Sequence, residues 1–195
     1  MNPPLAELQS GLVQLLKEQS VQIGQFTLAS GRTSSYYIDA RRTTMSARGL
    51  ELIGRLGLAA VREASWETDL VGGLTLGADP VAYAVALASR RDPPELDAFT
   101  VRKEAKQHGT GRRIEGCFRE GARVVVVEDV VTTGQSALTA IESVEQAGGL
   151  VSGVLAVVDR AEGGSEAIES AGYQLRVLAT LADLGLPPKS GTAAG

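Results

Sequence analysis

Val124-Val125-Val126-Val127-Glu128-Asp129-Val130-Val131-Thr132-Thr133-Gly134-Gln135-Ser136 is the most informative stretch of the 195-residue chain. Four consecutive β-branched residues predict a strand covered on both faces, as in a parallel sheet packed between helices. The strand is expected to end at Val127 and to present two adjacent carboxylates at its carboxyl end. A hydroxyl-rich turn follows and opens a helix expected over 136–147, stopped by Gly148. Free amides and the dipole at that helix start suit a phosphate, with Thr132, Thr133 and Ser136 hydroxyls assisting. Glu128 and Asp129 are acceptors for vicinal sugar hydroxyls, directly or near a magnesium ion. Two carboxylates alone would equally fit an acidic strand end before an N-capped helix.

Outward from this stretch the pattern stays regular. Strands are expected at 70–72, 98–101, 151–158 and 175–178, with helices at 46–63 and at 80–89, the latter capped by Asp79. Near-continuous aliphatic strands alternating with helices predict an α/β fold, a parallel sheet flanked by helices, with ligands beyond the carboxyl ends of the strands. Before this core, Leu5, Leu8, Leu12, Leu15 and Leu16 mark an amphipathic helix over 5–18. Val21, Ile23, Phe26 and Leu28 then alternate at period two, and Tyr36-Tyr37-Ile38 follows the Ser30-Gly31-Arg32 turn, which predicts a small antiparallel element. The expected organisation is one domain over 1–195: an N-terminal element at 1–45, the core at 46–182 and a mobile tail at 187–195.

Composition removes several function classes. Cys117 is the only cysteine and His108 the only histidine, so any metal must use oxygen ligands. The first nine residues lack a basic flank and no stretch approaches the about 20 apolar residues of a membrane span, which predicts a cytoplasmic protein. A net charge of −4 argues against broad nucleic-acid binding. Residues 102–113 nonetheless hold five cations against one anion, a local +4, which suggests a small polyanion as partner. By itself that segment reads more readily as a solvated basic loop, and Asp159-Arg160 as a local surface pair.

The thirteen-residue string resembles the phosphoribosyl pyrophosphate signature of type I phosphoribosyltransferases. Arg102-Lys103-Glu104-Ala105-Lys106-Gln107-His108-Gly109-Thr110-Gly111, one strand earlier, resembles the catalytic loop of orotate phosphoribosyltransferases. Phe26-Thr27-Leu28-Ala29-Ser30-Gly31-Arg32 with Tyr36-Tyr37 is similar to that family's N-terminal hood, and Asp159-Arg160 matches its orotate-binding arginine. The resemblance spans residues 5–182 and implies formation of orotidine 5'-monophosphate from orotate and phosphoribosyl pyrophosphate, with magnesium as cofactor. It implies Arg102, Lys103, Lys106, His108 and Asp129 as catalytic residues. The phosphoribosyl pyrophosphate contacts would come from those cations and from Glu128, Asp129, Val130, Val131, Thr132, Thr133, Gly134, Gln135 and Ser136. Orotate contacts would come from Tyr37, Ile38, Thr132 and Arg160, the guanidinium meeting the pyrimidine carboxylate in two-pronged fashion.

The resemblance further implies a homodimer whose loops each close over the partner's site. Two departures stand out: Ala29 occupies a position that is lysine in many members, and Leu76-Gly77 replaces a tyrosine-lysine pair. Residues 73–80 would then hold pyrophosphate through backbone amides. The alternatives are a purine-base phosphoribosyltransferase and a non-catalytic nucleotide-sensing regulator on the same fold.

Overall fold

The computed structural model describes residues 3–27, 33–104 and 113–188. In chain order the elements are α1 (Leu5–Gln19), β1 (Val21–Thr27), β2 (Thr33–Ile38), α2 (Arg41–Thr44), α3 (Ala47–Glu63), β3 (Leu70–Leu74) and α4 (Ala78–Arg91). They continue as β4 (Asp97–Val101), β5 (Ile114–Gly116), β6 (Arg123–Val131), α5 (Gln135–Gln146), β7 (Leu150–Asp159), α6 (Gly164–Ser170) and β8 (Leu175–Thr180). Six strands form one sheet in the order β5-β4-β3-β6-β7-β8, parallel except for β5, which pairs antiparallel with β4 at the edge.

The valine run works as its composition predicts. Val125 and Val127 pack with α1, α3 and α4 on one face, while Val124 and Val126 pack with α5 and α6 on the other, all four fully buried. Burial of both faces removes the need for a polar alternation. From β3 the chain crosses outward to β4, whereas β6 leads the opposite way to β7 and β8, so the order reverses between β3 and β6. In open parallel sheets that reversal opens a crevice at the carboxyl ends.

β1 and β2 form the expected separate hairpin, with an irregularity between Ile23 and Phe26. In β2, Ser34, Tyr36 and Ile38 are buried while Thr33, Ser35 and Tyr37 are exposed, and Tyr36 and Ile38 join the core beside α1 and α3. The Tyr36 hydroxyl donates to the Pro187 carbonyl at 3.1 Å, so the chain is held at the first residue of the expected mobile tail; residues 189–195 lie outside the described residues.

Several boundaries differ from expectation. β6 continues through the carboxylates to Val131 because its ladder with β7 persists, pairing Val130 with Val158 and Val131 with Asp159. Main-chain pairing ignores the charge that makes the apolar run look finished. Helix α4 starts at Ala78 after Gly77, so Asp79 lies inside the first turn and is not its cap; Pro80 is tolerated there because first-turn N–H groups have no helical acceptor. Helix α5 starts at Gln135, one residue early, after Gly134 at φ 78°. A β-carbon at Gly134 would also stand 2.9 Å from the Gly164 carbonyl oxygen, so both the turn and the packing call for glycine. Short α2, β5 and α6 carry too few periodic residues to be legible in the sequence.

Candidate active site

Two helices begin beside the crevice, and neither N-terminus is capped by a side chain. Helix α4 opens after Gly77 and α5 after Gly134, which leaves first-turn amides available to an anion on both sides of the strand-order reversal. A small concavity at the α5 start is lined by Glu128 and residues 130–137, the predicted phosphate turn. Thr133, Gln135 and Ser136 are exposed there and Thr132 is half-buried.

The acidic pair is less open than expected at a strand end. Glu128 is 7% exposed, because β6 carries it into the sheet, and Asp129 is half-buried. Burial, reinforced by the like charge of Asp129, pushes the Glu128 carboxyl up to about 9, so it holds its proton at neutral pH. Burial raises Asp129 as well, opposed by hydrogen bonds and by the Arg41 guanidinium. The Val130 N–H donates to Asp129 Oδ1 at 2.9 Å. Lys103, at the root of the cationic segment, lowers Glu128 slightly through its charge, the smallest of the influences on that carboxyl. Arg41 was not anticipated from the sequence; it is paired with Asp39 at 2.8 Å and exerts its charge on Asp129. Nothing in the sequence marks it except the short Asp39-Ala40-Arg41 spacing that α2 folds toward the crevice.

Across the crevice, the turn after β3 reaches Asp129 directly. A β-carbon at Gly77 would stand 2.3 Å from Asp129 Oδ1. The turn is fastened to β4, whose Val101 carbonyl accepts from the Thr75 N–H at 2.8 Å. The neck of the cationic segment is closed by Arg102 N–H donating to the Arg113 carbonyl at 2.8 Å, while exposed Arg102 lies 3.7 Å from Glu115. Lys106 and His108 lie outside the described residues, as does Ala29 of the hood string.

Arg160 follows β7 and is buried, its N–H donating to the Val131 carbonyl at 3.0 Å. Its Nη2 is 3.0 Å from Glu162 Oε1, a pairing absent from the sequence reading, and Asp159 is occupied by Ala161 N–H and the Ser165 hydroxyl. Neither Arg160 Nε nor Glu128 Oε2 has a hydrogen-bond partner among the described residues. Tyr37 and Ile38 are not brought together: successive strand residues face opposite ways, so Tyr37 is exposed beside Phe26 whereas Ile38 is spent in the core.

A larger cavity, about 610 Å³, lies at the opposite, amino-terminal end of the strands, lined by Trp66, Pro93, Pro94 and Leu96 among others. Its arginines are committed: Arg62 to Asp92, Arg123 to Glu67, and Arg119 near Asp69. Size therefore does not identify the chemical centre of this molecule.

No protein-family model matches the chain. The orotate phosphoribosyltransferase of Corynebacterium glutamicum is 52% identical over 183 residues, 93% of this chain and 96% of that protein. The crystal structure of the Mycobacterium tuberculosis H37Rv orotate phosphoribosyltransferase with Fe(III) dicitrate superposes with a TM-score of 0.83 at 51% identity, covering 92% of this chain and 99% of that one. The same enzyme in complex with 5-phospho-alpha-D-ribosyl 1-diphosphate gives a TM-score of 0.76 at 44% identity, with 92% of each chain covered. The fold, the crevice and these relatives agree, and the chain belongs to the orotate phosphoribosyltransferase family.

Proposed function

We propose that this chain transfers the ribose 5-phosphate unit of phosphoribosyl pyrophosphate to orotate, forming orotidine 5'-monophosphate and pyrophosphate in pyrimidine biosynthesis. The observation that carries the assignment is convergence: the acidic pair on β6, the uncapped starts of α4 and α5, and Arg160 after β7 meet at one crevice. Residues 130–136 would cradle the 5-phosphate. Protonated Glu128 can donate as well as accept, and Asp129 can accept, which matches two vicinal hydroxyls of the ribose. Arg160 would receive the orotate carboxylate, with exposed Tyr37 and half-buried Thr132 near the base.

In the reaction the ring nitrogen of orotate bonds to the anomeric carbon as the bond to pyrophosphate breaks, its electron pair leaving on the pyrophosphate oxygen. Positive charge gathers on the ribose and negative charge on the leaving group, so cations matter more than a strong base. Arg102, Lys103, Lys106 and His108 would supply them, and no covalent enzyme intermediate is required. Among the described residues no group of three or more carboxylate, histidine or cysteine ligands could cage a metal. Magnesium would therefore ride on substrate oxygens, with the acidic pair beside it, and supply charge neutralisation.

Assembly is a homodimer with shared sites in this proposal. Leu76, Tyr83 and Leu87 are exposed along α4 and its preceding turn, and Tyr83 Oη lies 3.3 Å from Thr100 Oγ1 on the strand that carries the cationic segment. A second copy on that apolar face would sit within reach of the segment. Packing of Tyr36 and Ile38 with the α1 and α3 core supports one domain. No helix among the described residues is long and apolar enough to cross a membrane.

Loss of orotate absorbance in the presence of phosphoribosyl pyrophosphate and magnesium tests the activity. Turnover of adenine or guanine in place of orotate, or nucleotide binding without turnover, would refute it.

A further inference from the structure

Asp79 lies in the first turn of α4 and accepts two hydroxyl hydrogen bonds, from Thr75 Oγ1 at 2.7 Å and Thr100 Oγ1 at 2.8 Å. Thr75 belongs to the turn between β3 and α4; Thr100 precedes Val101, the last residue of β4, from which Arg102 and Lys103 depart. One half-buried carboxylate thus ties the turn to the strand that carries the cations. The helix start and nearby cations favour a carboxylate here, yet its charge would repel the anion that the same amides and cations gather. Geometry accounts for it. An ionised carboxylate can accept from two hydroxyls at once, one on each oxygen, and such charge-assisted bonds are the strong ones.

We propose that Asp79 is a positioning residue for phosphoribosyl transfer: by bridging Thr75 and Thr100 it holds the 75–78 turn and the Arg102-Lys103 root at the spacing that one pyrophosphate group spans. The proposal rests on the assignment of pyrophosphate to that turn and those cations. Asp79 touches no substrate atom in this scheme and acts through the amides and cations it aligns.

The test compares Asp79→Ala, Asp79→Asn and the pair Thr75→Val with Thr100→Val against the unaltered protein. Inorganic pyrophosphate and orotidine 5'-monophosphate are titrated separately, and KM is measured for each substrate. In Asp79→Ala the pyrophosphate Kd and the phosphoribosyl pyrophosphate KM should rise about tenfold, with orotidine 5'-monophosphate binding and the orotate KM within about twofold. Asparagine accepts from one threonine and donates to the other hydroxyl, so Asp79→Asn should recover most of the loss. The valine pair should reproduce the Asp79→Ala loss, and adding Asp79→Ala to it should change nothing further. That pair also keeps the test decisive if Asp79→Ala does not fold.

Pyrophosphate binding that is unchanged or tighter in Asp79→Ala would overturn the proposal, because charge would then dominate. Equal weakening of both ligands would overturn it too, as loss of general support. Amide NMR signals of Leu76, Gly77 and Ala78 in the unaltered protein must shift on adding pyrophosphate. If they do not, the cradle assignment itself falls and the proposal with it; if they shift and Asp79→Ala binds normally, only the role of Asp79 is refuted.

Discussion

Gly77 and Asp129 come from opposite sides of the crevice and touch: a β-carbon at position 77 would lie 2.3 Å from Oδ1 and 2.6 Å from Cγ of Asp129. Both atoms belong to a half-buried carboxylate that accepts from the Val130 N–H, so an added β-carbon must push that carboxylate aside. Glycine at 77 is thus coupled to where Asp129, the carboxylate proposed to meet the ribose, stands. Gly77→Ala should displace Asp129 and raise the phosphoribosyl pyrophosphate KM about tenfold or more, since misplacement by an ångström is costly in a site of this kind. Steady-state kinetics with a melting curve provide the check. Normal kinetics in a folded Gly77→Ala protein would show that Asp129 is free to move and does not need its present place.

Glu128 predicts an unusual dependence of stability on alkaline pH. Its folded carboxyl titrates near 9 against an ordinary 4.5, raised by burial first and by Asp129 second. A raised pKa means that the folded state binds the proton more tightly, so the contribution is complete below about 4.5 and is lost as pH climbs toward 9. Asp69 and Asp183 are shifted downward and therefore act only in acid, outside that window. Glu128→Gln, uncharged throughout, should melt several degrees above the unaltered protein at pH 9 and close to it at pH 5, each ~1 kcal/mol being worth roughly 2–4 °C at this size. Parallel melting curves for the two proteins from pH 5 to 9 would contradict the assignment.

Arg160 has two duties that substitution can separate. Its Nη2 lies 3.0 Å from Glu162, and the proposed function gives the same guanidinium the orotate carboxylate. Arg160→Lys keeps a positive charge for Glu162 but loses the planar fork, so it should raise the orotate KM about tenfold or more with little change in melting temperature. Arg160→Ala should do both, raising the orotate KM and lowering the melting temperature, because half-buried Glu162 then loses the cation 3.0 Å away. Unchanged orotate KM in Arg160→Lys would place this arginine among structural residues.

The position of Lys103 sharpens the test of shared active sites. We expect Lys103, whose charge reaches Glu128 within one chain, to serve that chain's site, so that its loss and the loss of Asp129 would fall in the same site of whichever protomer carries them. Lys106, farther along the segment, is expected to serve the partner. Each single variant, Lys103→Ala, Lys106→Ala or Asp129→Asn, should be nearly inactive alone. Refolded in equal amounts, Lys106→Ala with Asp129→Asn gives half mixed dimers, each with one intact site, so activity should return to about a quarter of normal. Lys103→Ala with Asp129→Asn should recover almost nothing. Recovery in the second mixture, or none in the first although mixed dimers are shown to form, would overturn the shared-site arrangement.

What the sequence determined by itself was whatever depends on residues close together in the chain. The valine run of β6 and the Leu8-Leu12-Leu15-Leu16 stripe of α1 each carry a local period, whereas the cap of α3 by Ser46, whose hydroxyl accepts from the Gly49 N–H at 3.0 Å, was not read from the sequence. The turn proposed to hold phosphate was legible as a turn before a helix for the same reason, since carboxylates, hydroxyls, glycine and helix start are contiguous. Tertiary structure alone decided relations between distant segments. Gly77 against Asp129, Asp79 between Thr75 and Thr100, Lys103 acting on Glu128 and Tyr36 reaching Pro187 leave no periodic trace, because each depends on where the sheet order reverses and which strand ends become neighbours. Burial is decided the same way. Glu128 reads as an exposed strand end from its charge, yet the continuing ladder with β7 carries it inside, and desolvation there sets its protonation state.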